Sequence, residues 1–148
     1  MAEILLAEDN PADVYLIREA LREHAVECTI RVASDGKEVL RIMSAEGPDP
    51  ATEPPALIIL DLNLPRHDGI EILQRLRASE LLAHIPVVVL TSSDSPQDRA
   101  AAIHFGASRF LRKPSSLEQF LSLGAVFKEL LERSVASLNK PKGVCDEA

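Results

Sequence analysis

Thiols and imidazoles are few in this sequence, and neither is arranged for metal or redox chemistry. The two cysteines, Cys28 and Cys145, are far apart and have no metal-ligand spacing. Nothing about them calls for an oxidising compartment. The four histidines, His24, His67, His84 and His104, are not spaced with a second histidine, a cysteine or a carboxylate as a zinc motif requires, and they read as surface or loop residues. Positive charge is also short. Sixteen Lys and Arg face 23 Asp and Glu, a formal net charge of -7. A nucleic-acid binder needs a basic footprint to displace counterions, so no nucleic-acid partner is expected, and an anionic membrane surface is disfavoured for the same reason. No apolar run is long enough to cross a bilayer. The N-terminus enters the apolar run Ile4-Leu5-Leu6-Ala7 directly, without the basic region and cleavage site of a signal peptide. A cytoplasmic location is expected. There is no internal repeat.

What remains is an ordinary globular composition, 46% hydrophobic and 26% charged, over 148 residues. That length suits one domain that buries its core without disulfides. Two stretches look irregular. One is Glu46 to Ala56, which holds four of the ten prolines; proline removes a backbone donor and fixes φ, so this is a loop. The other is the tail from about Asn139. Residues 1–138 are expected to form one domain, with 139–148 a tail that is flexible or engaged in dimer contacts.

Short runs rich in Val, Ile and Leu recur at Glu3–Asp9, Thr29–Ala33, Leu57–Leu64, Pro86–Thr91 and Phe110–Lys113. The first, third and fourth are almost continuously apolar, as strands covered on both faces by helices must be. The intervening segments have helical spacing: Val14, Ile17 and Leu21; Val39, Leu40 and Met43; Ile70, Leu73 and Leu76. A fourth helix begins at Ser95-Pro96, with serine as cap and proline at the first helical position, and Gly106 suits its end. A fifth opens on Ser115-Ser116-Leu117-Glu118 with capping-box spacing. The order βαβαβαβαβα predicts an α/β fold, a five-stranded parallel sheet wound with helices on both faces. Five strands suit the flavodoxin-like order 2-1-3-4-5, which is taken from that class of folds.

Such sheets bind ligands at the carboxyl ends of their strands. The charged residues gather there: Glu8 and Asp9 after the first strand, Asp61 in the third, Thr91 and Ser92 ending the fourth, Lys113 and Pro114 after the fifth. Crowded carboxylates need a cation. A hard divalent ion with oxygen ligands, such as Mg²⁺, answers that need. Lys113 adds a positive charge, and Thr91 offers a hydroxyl to a phosphoryl oxygen. The set describes a phosphate-handling site with a carboxylate nucleophile. Any one of these residues alone reads better as structural, since Asp9 or Asn10 can cap the first helix with Pro11 behind it. Asp61 is different, because it lies inside the apolar run Ile58-Ile59-Leu60-Asp61-Leu62, where a charge needs a reason.

Glu8-Asp9, the run LIILDLNLPRHDG, the strand PVVVLTSS and Lys113-Pro114 together resemble the response-regulator receiver family over about residues 3 to 134. The resemblance implies that Asp61 accepts a phosphoryl group from a phosphohistidine of a sensor histidine kinase. It implies Mg²⁺ held by Glu8, Asp9, Asp61 and the backbone carbonyl of Asn63. It further implies that Thr91 and Lys113 contact the phosphoryl group, that Thr91 and Phe110 move together as a switch, and that the bond before Pro114 is cis. Two positions depart from the commoner pattern: Glu8 replaces an aspartate, and Phe110 lacks the hydroxyl of a tyrosine often found there. Asn63 and Ser93 occupy positions that, in this family, influence how long the acyl phosphate survives. Glu8-Asp9-Asn10-Pro11-x-Asp13 and the Pro-rich loop look like the single-domain regulators paired with bacterial and cyanobacterial phytochromes.

From Leu117 to Leu131 the apolar positions are wider than one sheet contact needs. One helix reaching to about Leu138 is expected, with Phe120, Leu123, Phe127 and Leu130 as candidates for a homodimer surface. No output domain is expected after the receiver, so the protein would act by docking to a downstream protein or by passing phosphate to a histidine phosphotransfer protein. Two other functions remain open. One is a phosphatase-like enzyme with a carboxylate nucleophile, but dehalogenase-type enzymes place an acid two residues after the nucleophile, and Asn63 stands there. The other is a phosphate-independent binding module, which an intact acidic site disfavours.

Overall fold

The computed structural model describes residues 2–43, 54–65, 68–80 and 82–138, with the backbone alone for 135–138. Five strands, β1 Ala2–Ala7, β2 Cys28–Ala33, β3 Leu57–Leu60, β4 Val87–Thr91 and β5 Arg109–Arg112, form one parallel sheet in the order β2-β1-β3-β4-β5. The helices are α1 Pro11–Glu23, α2 Gly36–Met43, α3 Gly69–Ala78, α4 Pro96–His104, α5 Leu117–Ser122 and α6 Gly124–Leu138. The expected fold class and strand order hold. Most of the Pro-rich loop, His67 and the tail lie outside the described residues.

The apolar runs are continuous because successive side chains enter different cores. In β1, Leu5 and Ala7 join Ile58, Leu60, Val87, Val89, Ile72, Leu73 and Leu76 on the side covered by α3. Ile4 and Leu6 point the other way, to Ile59, Val88, Leu90, Ile17, Leu21, Phe120 and Phe127. The edge strands β2 and β5 are only partly buried.

The local stop signals act as the residue types require. Asn10 caps α1, its Oδ1 accepting from the amides of Ala12 and Asp13, and Pro11 follows at the first position. Ser95 caps α4 ahead of Pro96, and Gly106 leaves that helix at φ +90°. The cap of α5 is Ser116, whose Oγ accepts from the Gln119 amide; the capping-box spacing is therefore one residue later than Ser115 implies.

The single terminal helix is replaced by two. α5 ends at Ser122, the Leu123 amide reaches back to the Phe120 carbonyl in a tight turn, and α6 restarts at Gly124. A side chain at Gly124 would collide with the Ala20 carbonyl of α1 and with His24, the residue that ends that helix. Two short helices can each lie against α1 and the sheet where one straight helix would diverge. Phe120 and Phe127 are 2% and 0% exposed, and Leu123 and Leu130 pack against the same core. The expected dimer surface is thus corrected for the two phenylalanines, whose rings fill the α1 side of the sheet.

Candidate functional site

Strand register brings the expected residues together. Ala7 pairs with Leu60, so the next residues, Glu8 and Asp61, emerge side by side. The Glu8 amide donates to the Ala33 carbonyl and the Asp61 amide to the Ala7 carbonyl, which extends the ladder to the last residue before each loop. On the other side Thr91 closes β4 and the Lys113 amide donates to its carbonyl. Among the described residues, Glu8, Asp61 and Thr91 are the buried polar ones, at 2%, 5% and 0% exposure. Asp9 is exposed beside them.

Each buried carboxylate is divided between backbone and lysine. Glu8 Oε2 accepts from the amides of Asp9 at 3.0 Å and Asn10 at 3.3 Å, while Oε1 meets Lys113 Nζ at 2.5 Å. Asp61 Oδ1 accepts from the Asn63 amide at 3.0 Å, while Oδ2 takes Lys113 Nζ at 2.9 Å. A third carboxylate, Asp13 Oδ2, lies 2.7 Å from the same ammonium. Asp13 is the residue that sequence reasoning did not place in the site. The sequence offers no separate signal for it, since an acidic residue in the first turn of a helix capped by Asn10 is already explained by the helix dipole.

Thr91 Oγ1 accepts from Asn63 Nδ2 at 3.2 Å and from the Ser93 amide at 3.3 Å. Ser93 Oγ in turn donates to Asp98 Oδ2 in α4 at 2.7 Å. Phe110 is half-buried, with the Arg99 guanidinium 5.6 Å from its ring centre, a cation–π distance. The bond before Pro114 is trans, like every other peptide bond described. Trans is the lower-energy form by about 0.5–1 kcal/mol even before proline, and Lys113 reaches all three carboxylates from it. The expectation of a cis bond is therefore corrected.

The charges settle unequally. Burial pushes the Glu8 carboxyl up to about 7, against the pull of Lys113. Burial acts on Asp61 too, but the Asn63 amide and the Lys113 ammonium outweigh it and hold that carboxyl below its ordinary range. Burial would lower the Lys113 value; its bonds to Asp13, Glu8 and Asp61 raise it instead. Asp61 is therefore ionised, buried and held by a cation, which is the state a carboxylate nucleophile needs.

Oxygen atoms of Glu8, Asp9 and Asp61 lie within 4.8 Å of one another. Three carboxylates at that spacing, hard oxygen donors with no nitrogen or sulfur among them, fit a hard divalent ion such as Mg²⁺ or Mn²⁺.

Residues 4–123 match the model of the response regulator receiver domain. The chain belongs to the response regulator receiver family. It is 33% identical over 120 residues to the response regulator Rcp1 of Synechocystis, covering 81% of this chain and 82% of that protein. It is 37% identical over 145 residues to the transcriptional regulatory protein TrcR of Mycobacterium tuberculosis, covering 98% of this chain and 49% of TrcR, so it spans about half the length of that relative. Among solved structures, the phosphorylated cyanobacterial phytochrome response regulator RcpA superimposes with a TM-score of 0.81 at 34% identity, over 88% of this chain and 94% of that one. The Mn(2+)-bound form of Rcp1 superimposes with a TM-score of 0.75 at 29% identity, over 98% of this chain and all of that one, 100%. This receiver is thus a response regulator of two-component signalling, homologous to regulators associated with phytochromes.

Proposed function

We propose that this receiver accepts a phosphoryl group on Asp61 from a sensor histidine kinase of the phytochrome type, with Mg²⁺ bound, and passes the signal on through a changed docking surface. The observation that carries the reading is the state of Asp61. It is a buried, ionised carboxylate at a strand end, with one oxygen on the Asn63 amide and the other on Lys113. In the transfer, an Asp61 oxygen would form a bond to phosphorus as the P–N bond of the phosphohistidine breaks and its electron pair returns to the imidazole. Asp61 and its backbone partner orient the attack, and Lys113 remains to face the phosphoryl oxygens. Thr91 would exchange its bond from Asn63 for one donated to the acyl phosphate. Glu8, Asp9, Asp61 and the Asn63 carbonyl would hold the ion, which neutralises charge on the phosphoryl oxygens when bound. Phe110, stacked under Arg99 of α4, would carry the change in Thr91 toward α4 and β5. The kinase type rests on the likeness to Rcp1 and RcpA.

The test is intact-mass spectrometry after mixing the protein with a divalent ion and acetyl phosphate. One phosphoryl adduct is expected, dependent on Mg²⁺, labile in alkali and absent from Asp61→Asn. If no adduct forms and no beryllofluoride complex forms either, the reading is wrong.

A further inference from the structure

The ammonium of Lys113 and a divalent ion need the same atoms. Glu8 Oε2 and Asp61 Oδ1 already accept from backbone amides, so the oxygens free of the backbone are Glu8 Oε1 and Asp61 Oδ2. Those are the two that Lys113 holds. An ion of charge +2 entering there repels the ammonium as well as displacing it. Among the described residues, Asp13 is the one carboxylate in contact with Lys113 that lies outside the Glu8–Asp9–Asp61 group.

We propose that Asp13 is a positioning residue: it retains the Lys113 ammonium at the site when a divalent ion takes the oxygens of Glu8 and Asp61. The inference rests on the reading of Glu8, Asp9 and Asp61 as an ion site and adds what happens to the cation already there. The local sequence is built for it. The Asn10 cap and Pro11 fix the first turn of α1, and the Asn10 side chain accepts from the Asp13 amide itself. That first turn carries the positive end of the helix dipole, a favourable place for an acidic side chain such as Asp13. Its side chain is 18% exposed, so it is held against Lys113 and not free in solvent. The acidic residue of the Glu8-Asp9-Asn10-Pro11-x-Asp13 run thereby has a task distinct from that of the pair Glu8-Asp9. Lys113 exchanges partners without leaving the pocket, and it is still present when a phosphoryl group arrives.

The experiment is a double-mutant cycle on ion affinity, read by calorimetric titration of the whole chain with Mg²⁺ and with Mn²⁺. The four proteins are wild type, Asp13→Asn, Lys113→Met and the double variant, each checked for a cooperative thermal transition. Asn keeps the shape of the side chain and is acceptable in a first helical turn. Asp13→Asn is expected to weaken ion binding in both backgrounds, because it removes a negative charge near the ion. The loss is expected to be larger, by about fivefold, when Lys113 is present. Equal losses in the two backgrounds would mean that Asp13 acts on the ion directly, as field or ligand, and would overturn the assignment. A larger loss in the Lys113→Met background would overturn it too, as would no loss in either. The wild type serves as the control on the underlying reading. If it binds the ion and forms the Asp61 adduct while the cycle shows no coupling, the Asp13 assignment alone fails. If it does neither, the switch reading fails and takes this assignment with it.

Discussion

A lysine ammonium has three donors and no acceptor, and Lys113 directs all three at carboxylates: Glu8, Asp13 and Asp61. Lys113→Met would leave buried charges without a partner. It is expected to lower stability by roughly 3 kcal/mol in the presence of chelator, measured by urea unfolding. Mg²⁺ should return most of that loss and bind more tightly than to wild type, since the ammonium no longer competes for the oxygens. Glu8 sets the pH response. Its folded value of about 7 lies above its ordinary 4.5, so the group favours the folded state fully below about pH 4.5, and that contribution is lost as pH rises through 7. Asp61 works in the opposite sense, favouring folding above its ordinary value and losing that contribution in acid. Metal-free melting temperature is therefore expected to decline between about pH 5 and about pH 8, and Glu8→Gln should flatten the decline. Ion binding needs Glu8 ionised, so Mg²⁺ affinity should fall up to about tenfold per pH unit below 7. Titrations at several pH values check both. Of these residues Glu8, Asp9, Asp61, Thr91 and Lys113 were legible in the sequence, because a charge or hydroxyl at the end of an apolar run is conspicuous. Asp13 was not, because an acidic residue in a first helical turn has a sufficient explanation in the helix dipole alone.

Among the elements, the strands were the most legible and the last helix the least. A strand buried on both faces is apolar almost throughout, and β1, β3 and β4 are, apart from Glu3 at the half-buried start of β1 and Thr91 at the site end of β4. The caps of α1 and α4 also follow from residue type. The break between α5 and α6 does not. One glycine inside an apolar helical pattern is tolerated, and only the approach of α1 makes Gly124 necessary. Gly124→Ala is expected to destabilise by about 1–3 kcal/mol, although alanine is the better helix former, because its Cβ would overlap the Ala20 carbonyl. A lower urea midpoint at unchanged slope checks this. At the other end of the molecule Arg77 ties α3 to two loops. Its guanidinium donates to the carbonyls of Ala83, Ile85 and Gly106, from 2.6 to 3.2 Å. Its bonds anchor the loop before β4, whose register delivers Thr91 to the site.

At the scale of the whole molecule, ion binding and folding are linked. An ion that binds the folded chain alone stabilises it by about 2.7 kcal/mol at a hundred times its Kd. Mg²⁺ is therefore expected to raise Tm by several degrees, and Asp61→Asn, which removes one of the three clustered carboxylates, should reduce that rise. Differential scanning calorimetry with and without chelator measures both. Among the described residues no helix is long and apolar enough to cross a membrane.

The sequence by itself determined the alternation of strands and helices, the two-sided burial of the sheet and the placement of charge at strand ends. These are local matters of period, capping and polarity, which a residue carries wherever the chain goes. Strand order came from the class of fold, and the structure bears it out. Tertiary structure alone decided that Lys113 faces three carboxylates and not two, that the Lys113-Pro114 bond is trans, and that Phe120 and Phe127 belong to the core. Each depends on which surface of a distant element arrives opposite. Lys113 and Asp13 are 100 residues apart in the chain, and only the fold, which packs α1 against the α5 that follows Lys113, brings their charges within bonding distance.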